Sequence, residues 1–281
     1  MTQPASRGEP LASIGVIGGS GFYTFFEDAE RHSVNTPFGD PSDDLVIGTV
    51  DGRRVAFIAR HGQGHRVPPH RINYRANLWA LRSVGVRQIL APCAVGSLRP
   101  EYSAGTIVVP DQIFDRTSGR EHTVYDGQGP VAHVSFAHPY CARGRASALA
   151  ALREREAPHV DGGTLVVVNG PRFSSGAESR WHQAAGFSIV GMTTMPEAGI
   201  ARELAMCFTT IALVTDHDAG LDGVEPVSHA EVLAVFARNI EPLKATLRVA
   251  IARLPQDESD ADATCPCRTA LSGIDLTPEP A

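Results

Sequence analysis

Six times along this chain a short apolar run, rich in β-branched residues, stops in a cluster of small, polar or charged residues. Ile14-Gly15-Val16-Ile17 runs into Gly18-Gly19-Ser20-Gly21, and Arg54 to Ala59 runs into Arg60-His61-Gly62. Gln88 to Pro92 ends at Cys93-Ala94-Val95-Gly96-Ser97-Leu98, and Thr164 to Val168 at Asn169-Gly170-Pro171-Arg172-Phe173-Ser174-Ser175. Ile189-Val190 leads to Gly191-Met192-Thr193-Thr194-Met195-Pro196-Glu197, and Phe208 to Val214 to Thr215-Asp216-His217-Asp218. Runs this short, bounded by glycine and proline, read as buried strands. The stretches between several of them have helical composition, so the chain is expected to form an α/β fold. Ligands in an open α/β sheet bind outside the carboxyl ends of the strands, which makes the residues after each run the candidate site.

The remaining elements follow from local chemistry. Leu45 to Val50 and Arg54 to Ala59 are expected to form a hairpin around Asp51-Gly52. Asn73-Tyr74 opens a helix that Gly85 stops, a glycine in the C′ position. Gly105 to Pro110 reads as a further strand, and Asp111 to Gly129, with Arg116, Arg120, His122 and Tyr125, as a long polar loop of functional or interfacial character. Ala142 to Glu156 and Glu178 to Ala185 are expected helices, and Pro196 begins another. Ser228-His229-Ala230-Glu231 is a capping box opening a last helix whose apolar positions Val232, Leu233, Phe236, Ile240, Leu243, Leu247 and Ile251 fit the helical period. After Leu254 the chain turns acidic and Pro-rich, so residues 255–281 read as a surface arm, residues 1–12 as an N-terminal arm and 13–254 as one domain.

Composition narrows the function classes. A length of 281 residues with 43% hydrophobic content suffices for a large single core. Net charge −6 provides no positive field for nucleic acid, and no apolar run approaches the length of a membrane span. Met1 to Pro10 carries no apolar signal region, so a cytoplasmic location is expected. Five cysteines fit reduced thiols: Cys93, Cys141 and Cys207 as buried residues, Cys265 and Cys267 as two unrelated surface thiols, with a redox pair or a clip on the arm as alternatives.

Several turns carry chemistry. The Gly18–Gly21 turn leaves backbone N–H groups free to surround an anion, although it lacks the dinucleotide-binding spacing. Arg60-His61 at a strand end supplies charge-assisted donors suited to phosphate. His61, His65 and His70 match no tetrahedral metal pattern, and no metal is expected. Asp216 and Asp218 lie one residue apart, and if both face a ligand their repulsion raises the pKa of one and favours its protonated form.

Taken together, these motifs resemble 5′-methylthioadenosine phosphorylases of the trimeric purine nucleoside phosphorylase superfamily over roughly residues 13–254, and the matching stretch Asn73-Tyr74-Arg75-Ala76-Asn77-Leu78-Trp79-Ala80-Leu81 adds to them. The resemblance implies a single-domain nucleoside phosphorylase fold, a mixed central sheet flanked by helices, in a homotrimer. It implies reversible phosphorolysis of a purine N-glycosidic bond, a pentosyltransferase reaction of purine salvage with inorganic phosphate as co-substrate and no further cofactor. By similarity, Ser20, Arg60, His61, Ala94 and Thr193 hold phosphate, with Cys93 where the family commonly has Thr and therefore contributing its backbone. Met192 lies under the ribose, Phe173, Ser174 and Thr215 border the base, and Asp216 and Asp218 meet its edge as catalytic acids. The 5′ pocket draws on His133 of a neighbouring subunit and on His229, Val232 and Leu233, with Leu271 or Leu276 as further candidates to close it.

His229 departs from the family's small apolar residue at that place. It points to a more polar 5′ pocket that accepts adenosine, 2′-deoxyadenosine or a 5′-halo-5′-deoxyadenosine beside methylthioadenosine. The acids favour an aminopurine over a 6-oxopurine, because carboxylates accept from an exocyclic amine. A hydrolase and a nucleotide-binding protein are the competing readings, separated by phosphate dependence and by ligand-induced thermal shifts.

Overall fold

The computed structural model describes residues 10–19, 22, 25–127, 131–220, 229–255 and 265–274. The strands are β1 (Ile14–Gly18), β2 (Glu27–His32), β3 (Leu45–Val50), β4 (Arg53–Ala59), β5 (Gln88–Ser97), β6 (Ile107–Val109), β7 (Gln112–Asp115), β8 (His159–Asp161), β9 (Thr164–Val167), β10 (Ile189–Gly191) and β11 (Cys207–Asp216). The helices are α1 (Tyr74–Ser83), α2 (Ala142–Glu154), α3 (Gly176–Ala184), α4 (Thr194–Glu203) and α5 (His229–Arg253). The strands join into one mixed sheet in the order β2-β3-β4-β1-β5-β10-β9-β7, with β11 pairing both β5 and β6, and β8 on β6. The expected α/β class with a mixed sheet flanked by helices is what forms.

Alternation along each strand builds the two faces. Ile17 of β1, Ala56 and Ile58 of β4, and Ile89 and Ala91 of β5 enter a core with α1 and α4. Ile14, Val16, Val55, Phe57 and Leu90 enter the opposite core with α2 and α5. Helix α2 lies so close on the strands beneath it that a Cβ on Gly144 would fall on Thr209 Oγ1 and come within 2.7 Å of Gln88 Nε2. Helix α1 begins where Asn73 Oδ1 accepts from Ala76 N–H at 3.1 Å.

Strand β5 positions the site. Its parallel register with β1 ends at Leu90, and its antiparallel register with β10 begins at Ser97 and Gly96, while β11 stays paired along the other edge. The β1-side edge between them is open, which lets Pro92, without an N–H, sit inside a strand. Cys93 and Ala94 are the two half-exposed positions in an otherwise buried strand.

The structure departs from the sequence reading in several places. Cys93 to Ser97 continues β5 instead of forming a turn, and β11 runs on through Thr215 and Asp216. The polar β2 (Glu27–His32) and the short β7 and β8 form because neighbouring strands offer an unpaired edge, which overrides composition. A capping box stands at Ser175 and Glu178, where Ser175 Oγ accepts from Glu178 N–H at 3.3 Å and Glu178 Oε2 from Ser175 N–H at 2.7 Å. The one read at Ser228 to Glu231 lies partly outside the described residues. The segment 265–274 is not a surface arm with two exposed thiols: Cys265 and Cys267 are buried against Cys141 and Cys207.

Candidate active site

Arg60, the residue after β4, turns back under the sheet instead of facing solvent. Its Nε and Nη2 form a two-point ion pair with Glu197 of α4 at 2.6 and 3.0 Å, and Nη1 and Nη2 donate to the carbonyls of Pro92 and Ile17 at 3.2 and 3.1 Å. Burial works against the charge, and the Glu197 carboxylate more than offsets it, holding the guanidinium above its ordinary pKa. Four of the five guanidinium N–H groups are thereby engaged.

The next residue, His61, holds Nδ1 2.9 Å from the Val67 carbonyl and stacks on His65 with ring centroids 4.1 Å apart. A carbonyl only accepts, so Nδ1 carries the proton. Burial, and then the Arg60 charge, push this imidazole down to about 3, so it is neutral with a free lone pair on Nε2. Burial pushes the Cys93 thiol up to about 11, so it stays protonated, and the Thr194 hydroxyl lies beside its sulfur. Thr193 takes the N-cap position of α4 and is buried, without its side chain capping the helix. Arg60, Cys93, Ala94 and the start of α4 thus share the open edge of β5. Ser20 lies outside the described residues.

Three residues further along β5, about 10 Å at the rise of a strand, the two acids meet at Gly96. A Cβ there would stand 3.0 Å from Asp216 Oδ1 and 3.3 Å from Asp218 Cβ, so both residues close on the same point of the strand and glycine makes room for them. Asp216 Oδ2 accepts from Thr215 Oγ1 at 2.8 Å. Burial, assisted by the charges of Asp218 and Glu231, pushes the Asp216 carboxyl up to about 6 against the Thr215 hydrogen bond, which lowers it. Asp218 is buried and accepts a short hydrogen bond from Ser179 Oγ of α3. Two carboxyls one residue apart therefore have different surroundings: one raised toward neutrality, the other held by a hydroxyl donor.

Arg120 ties the strand ends together. Its guanidinium donates to the Asn169 and Met192 carbonyls at 2.9 and 2.8 Å and to the Tyr74 hydroxyl at 3.0 Å. Met192 rests against Gly170, whose missing Cβ and φ of +61° leave room for its sulfur. Phe173 and Ser174 are half-buried in the loop before α3, and Ser174 borders a cavity of 160 Å³ that also touches Asn169 and His182. His182 is buried, with Nε2 2.9 Å from Arg116 Nη1. Of the residues read as a 5′ pocket, His133 is exposed, Val232 half-buried, and Leu233 exposed at 54%. Nothing is described of the His229 side chain, and Leu276 lies outside the described residues.

Sequence reasoning gave Glu197 and Ser179 no role of their own and named Arg120 only as part of a long polar loop of functional or interfacial character. Glu197 carried a signal: it is an acid followed by Ala198, Ile200 and Ala201, all buried, and such a carboxylate requires a cationic partner. Ser179 carried none, since its partner is an acid far away in sequence, and the loop reading of Arg120 did not reveal its backbone carbonyl partners.

The profile of the phosphorylase superfamily matches residues 13–252. The chain is similar, at 59% identity over 271 residues, to a purine nucleoside phosphorylase of Streptomyces coelicolor, covering 94% of this chain and 96% of that one. It is 51% identical over 264 residues to an S-methyl-5′-thioadenosine phosphorylase of Mycolicibacterium smegmatis, covering 94% and 97% of the two chains. Among solved structures, a methylthioadenosine phosphorylase from an antarctic soil metagenomic library aligns with a TM-score of 0.89 at 36% identity, covering 96% of this chain and 94% of that one.

Proposed function

The chain belongs to the phosphorylase superfamily, and from that premise we propose the reaction and the part each residue plays in it. The enzyme is a pentosyltransferase that cleaves 5′-methylthioadenosine or a related 5′-substituted 5′-deoxyadenosine with phosphate, giving adenine and a 5-substituted ribose 1-phosphate. The observation that carries the reading is the arrangement along β5: an arginine-centred edge at Cys93 and Ala94, and a pair of acids meeting at Gly96. A nucleoside laid along the strand has its C1′ next to the first and its base next to the second.

Phosphate, the co-substrate, sits on the open edge with Ser20, Thr193, the remaining N–H of Arg60 and the backbone at Cys93 and Ala94. Neutral His61 accepts at Nε2 from the protonated oxygen of hydrogen phosphate. As the glycosidic bond stretches, positive charge grows on the sugar and negative charge on the purine. Phosphate beneath C1′ stabilises the first and then attacks it. Asp216, with a carboxyl near 6, is about one-tenth protonated at neutral pH and donates to purine N7. Asp218 accepts a hydrogen bond from Ser179 Oγ, and a carboxylate acceptor suits an exocyclic amine on the base. Met192 supports the ribose, Phe173, Ser174 and Thr215 border the base, and His229, Val232 and Leu233 shape the 5′ end.

The active assembly is a homotrimer in which His133 of one subunit completes the 5′ pocket of the next. Exposure of His133, Leu233, Trp181 and Phe114 on the single chain supports burial in such an assembly. A cytoplasmic role in purine salvage fits a chain in which no described helix is long and apolar enough to cross a membrane. The 59% identical purine nucleoside phosphorylase favours a second reading, a broader activity on adenosine, 2′-deoxyadenosine or 6-oxopurine nucleosides.

Release of the purine base, adenine from methylthioadenosine and adenosine and hypoxanthine from inosine, with and without phosphate, separates these. Release from methylthioadenosine that depends on phosphate, at a kcat/KM above that of inosine, is the expected result. Turnover without phosphate, or faster cleavage of inosine, refutes it.

A further inference from the structure

Four of the five cysteines come from three separate parts of the chain and meet at one point. Cys141 stands at the N-cap of α2, Cys207 is the first residue of β11, and Cys265 and Cys267 flank Pro266 in the C-terminal segment. Their sulfurs all lie within 4.8 Å of one another, and Cys207 Sγ and Cys265 Sγ are 3.5 Å apart. All four residues are buried, at 1%, 2%, 4% and 3% exposure, and all are free thiols. Among the described residues this is the only group of His, Cys, Asp or Glu so disposed.

The spacing discriminates between occupants. A mononuclear zinc ion with Zn–S distances of about 2.3 Å sets its four sulfurs about 3.8 Å apart at the corners of a tetrahedron. The observed range brackets that edge. A disulfide needs about 2.05 Å, and a polynuclear iron–sulfur core needs its thiolates set round a larger body. Four soft thiolates in a tetrahedron match zinc by ligand type as well as geometry.

The surroundings favour thiolates. The N-terminus of α2 places its positive dipole end at Cys141. Arg202 Nη2 donates to Cys267 Sγ at 3.7 Å, while the same guanidinium is held by the carbonyls of Ser135 and His138 at 2.6 and 2.7 Å. Such an outer-shell cation offsets part of the −2 charge that one Zn²⁺ and four thiolates carry.

We propose that Cys141, Cys207, Cys265 and Cys267 form a structural tetrathiolate zinc site that fastens the C-terminal segment to α2 and β11. Binding exchanges four thiol protons, released to solvent, for one Zn²⁺, with no change of oxidation state. The backbone hydrogen bonds of the segment, from Arg268 and Thr269 N–H to the Cys265 carbonyl, run within it, and the sulfurs join it to the body of the protein. Cys207 and Asp216 lie at opposite ends of β11, about 30 Å apart at the rise of a strand, so the ion takes no part in the bond cleavage.

The test is elemental analysis of the full-length protein, purified without added metal and without a chelator. About one zinc per chain is expected, released by a mercurial reagent and absent from the Cys265→Ser, Cys267→Ser double variant. A Cys93→Ser variant keeps its zinc, because Cys93 lies outside the quartet. Cobalt substitution of the unaltered protein is expected to give the visible absorption of tetrahedral thiolate coordination, a readout that does not depend on the variants folding. Zinc below about one-fifth of an equivalent in the unaltered protein overturns the proposal. That holds whether the sulfurs are then found as free thiols, as two disulfides by intact mass, or around iron.

Discussion

Replacing Asp216 by Asn separates what this residue does for the reaction from what it costs the fold. The carboxyl is raised from an ordinary 3.8 to about 6, chiefly by burial. The folded state therefore holds this proton more tightly than the unfolded chain. The stability due to that protonation is complete below 3.8 and is lost as pH climbs through 6, above which a poorly solvated charge is a standing penalty. Two pKa units correspond to about 3 kcal/mol. The site is partly open to solvent, and halving for screening leaves about 1.5 kcal/mol. The Asn side chain keeps an oxygen for the Thr215 hydroxyl and removes the charge. Near pH 8 the variant is expected to melt about 3 to 6 °C above the parent, with the gap closing toward pH 4. In the phosphate-dependent assay its kcat/KM is expected to fall about 10²- to 10⁴-fold, the usual worth of a positioned acid. Melting curves across pH, paired with adenine release at each pH, provide the check. Equal melting at pH 8, or a gain that persists unchanged in acid, refutes the raised carboxyl. Undiminished turnover refutes its catalytic part.

Three further substitutions probe the frame around it. Glu197→Gln leaves the buried Arg60 without its counter-charge and is expected to cost about 3 to 5 kcal/mol in denaturant unfolding; a loss under 1 kcal/mol contradicts the buried pair. Gly96→Ala puts a methyl 3.0 Å from Asp216 Oδ1 and 3.2 Å from Val190 Cγ1, so kcat/KM is expected to drop about a hundredfold while the melting point moves little. An unchanged rate places the acids elsewhere. Ser179→Ala removes the hydroxyl that fixes Asp218 as an acceptor, and the preference for adenosine over inosine analogues is expected to shrink about tenfold. A constant ratio of kcat/KM values removes Asp218 from base selection.

Local patterns in the chain are enough to dictate the class of fold and the positions where chemistry gathers. Apolar runs that end in Gly18, Arg60, Gly170, Thr193 and Asp216 dictate buried strands whose carboxyl ends face a common crevice, because burial and periodicity are local properties of the chain. Tertiary structure decided which of those ends touch. β5 leaves β1 at Leu90 and takes up β10 at Gly96, and no local signal encodes a strand that changes partners. The same holds for Arg60, whose partner Glu197 is 137 residues away, and for Arg120, which finds carbonyls of two later segments. Polar β2 formed against its composition because the β3 edge was there to pair with. Cys265 and Cys267 read as surface thiols in an acidic tail, since composition reports what a segment prefers alone. The contact with Cys141 and Cys207 that buries them exists only once α2 and β11 are packed.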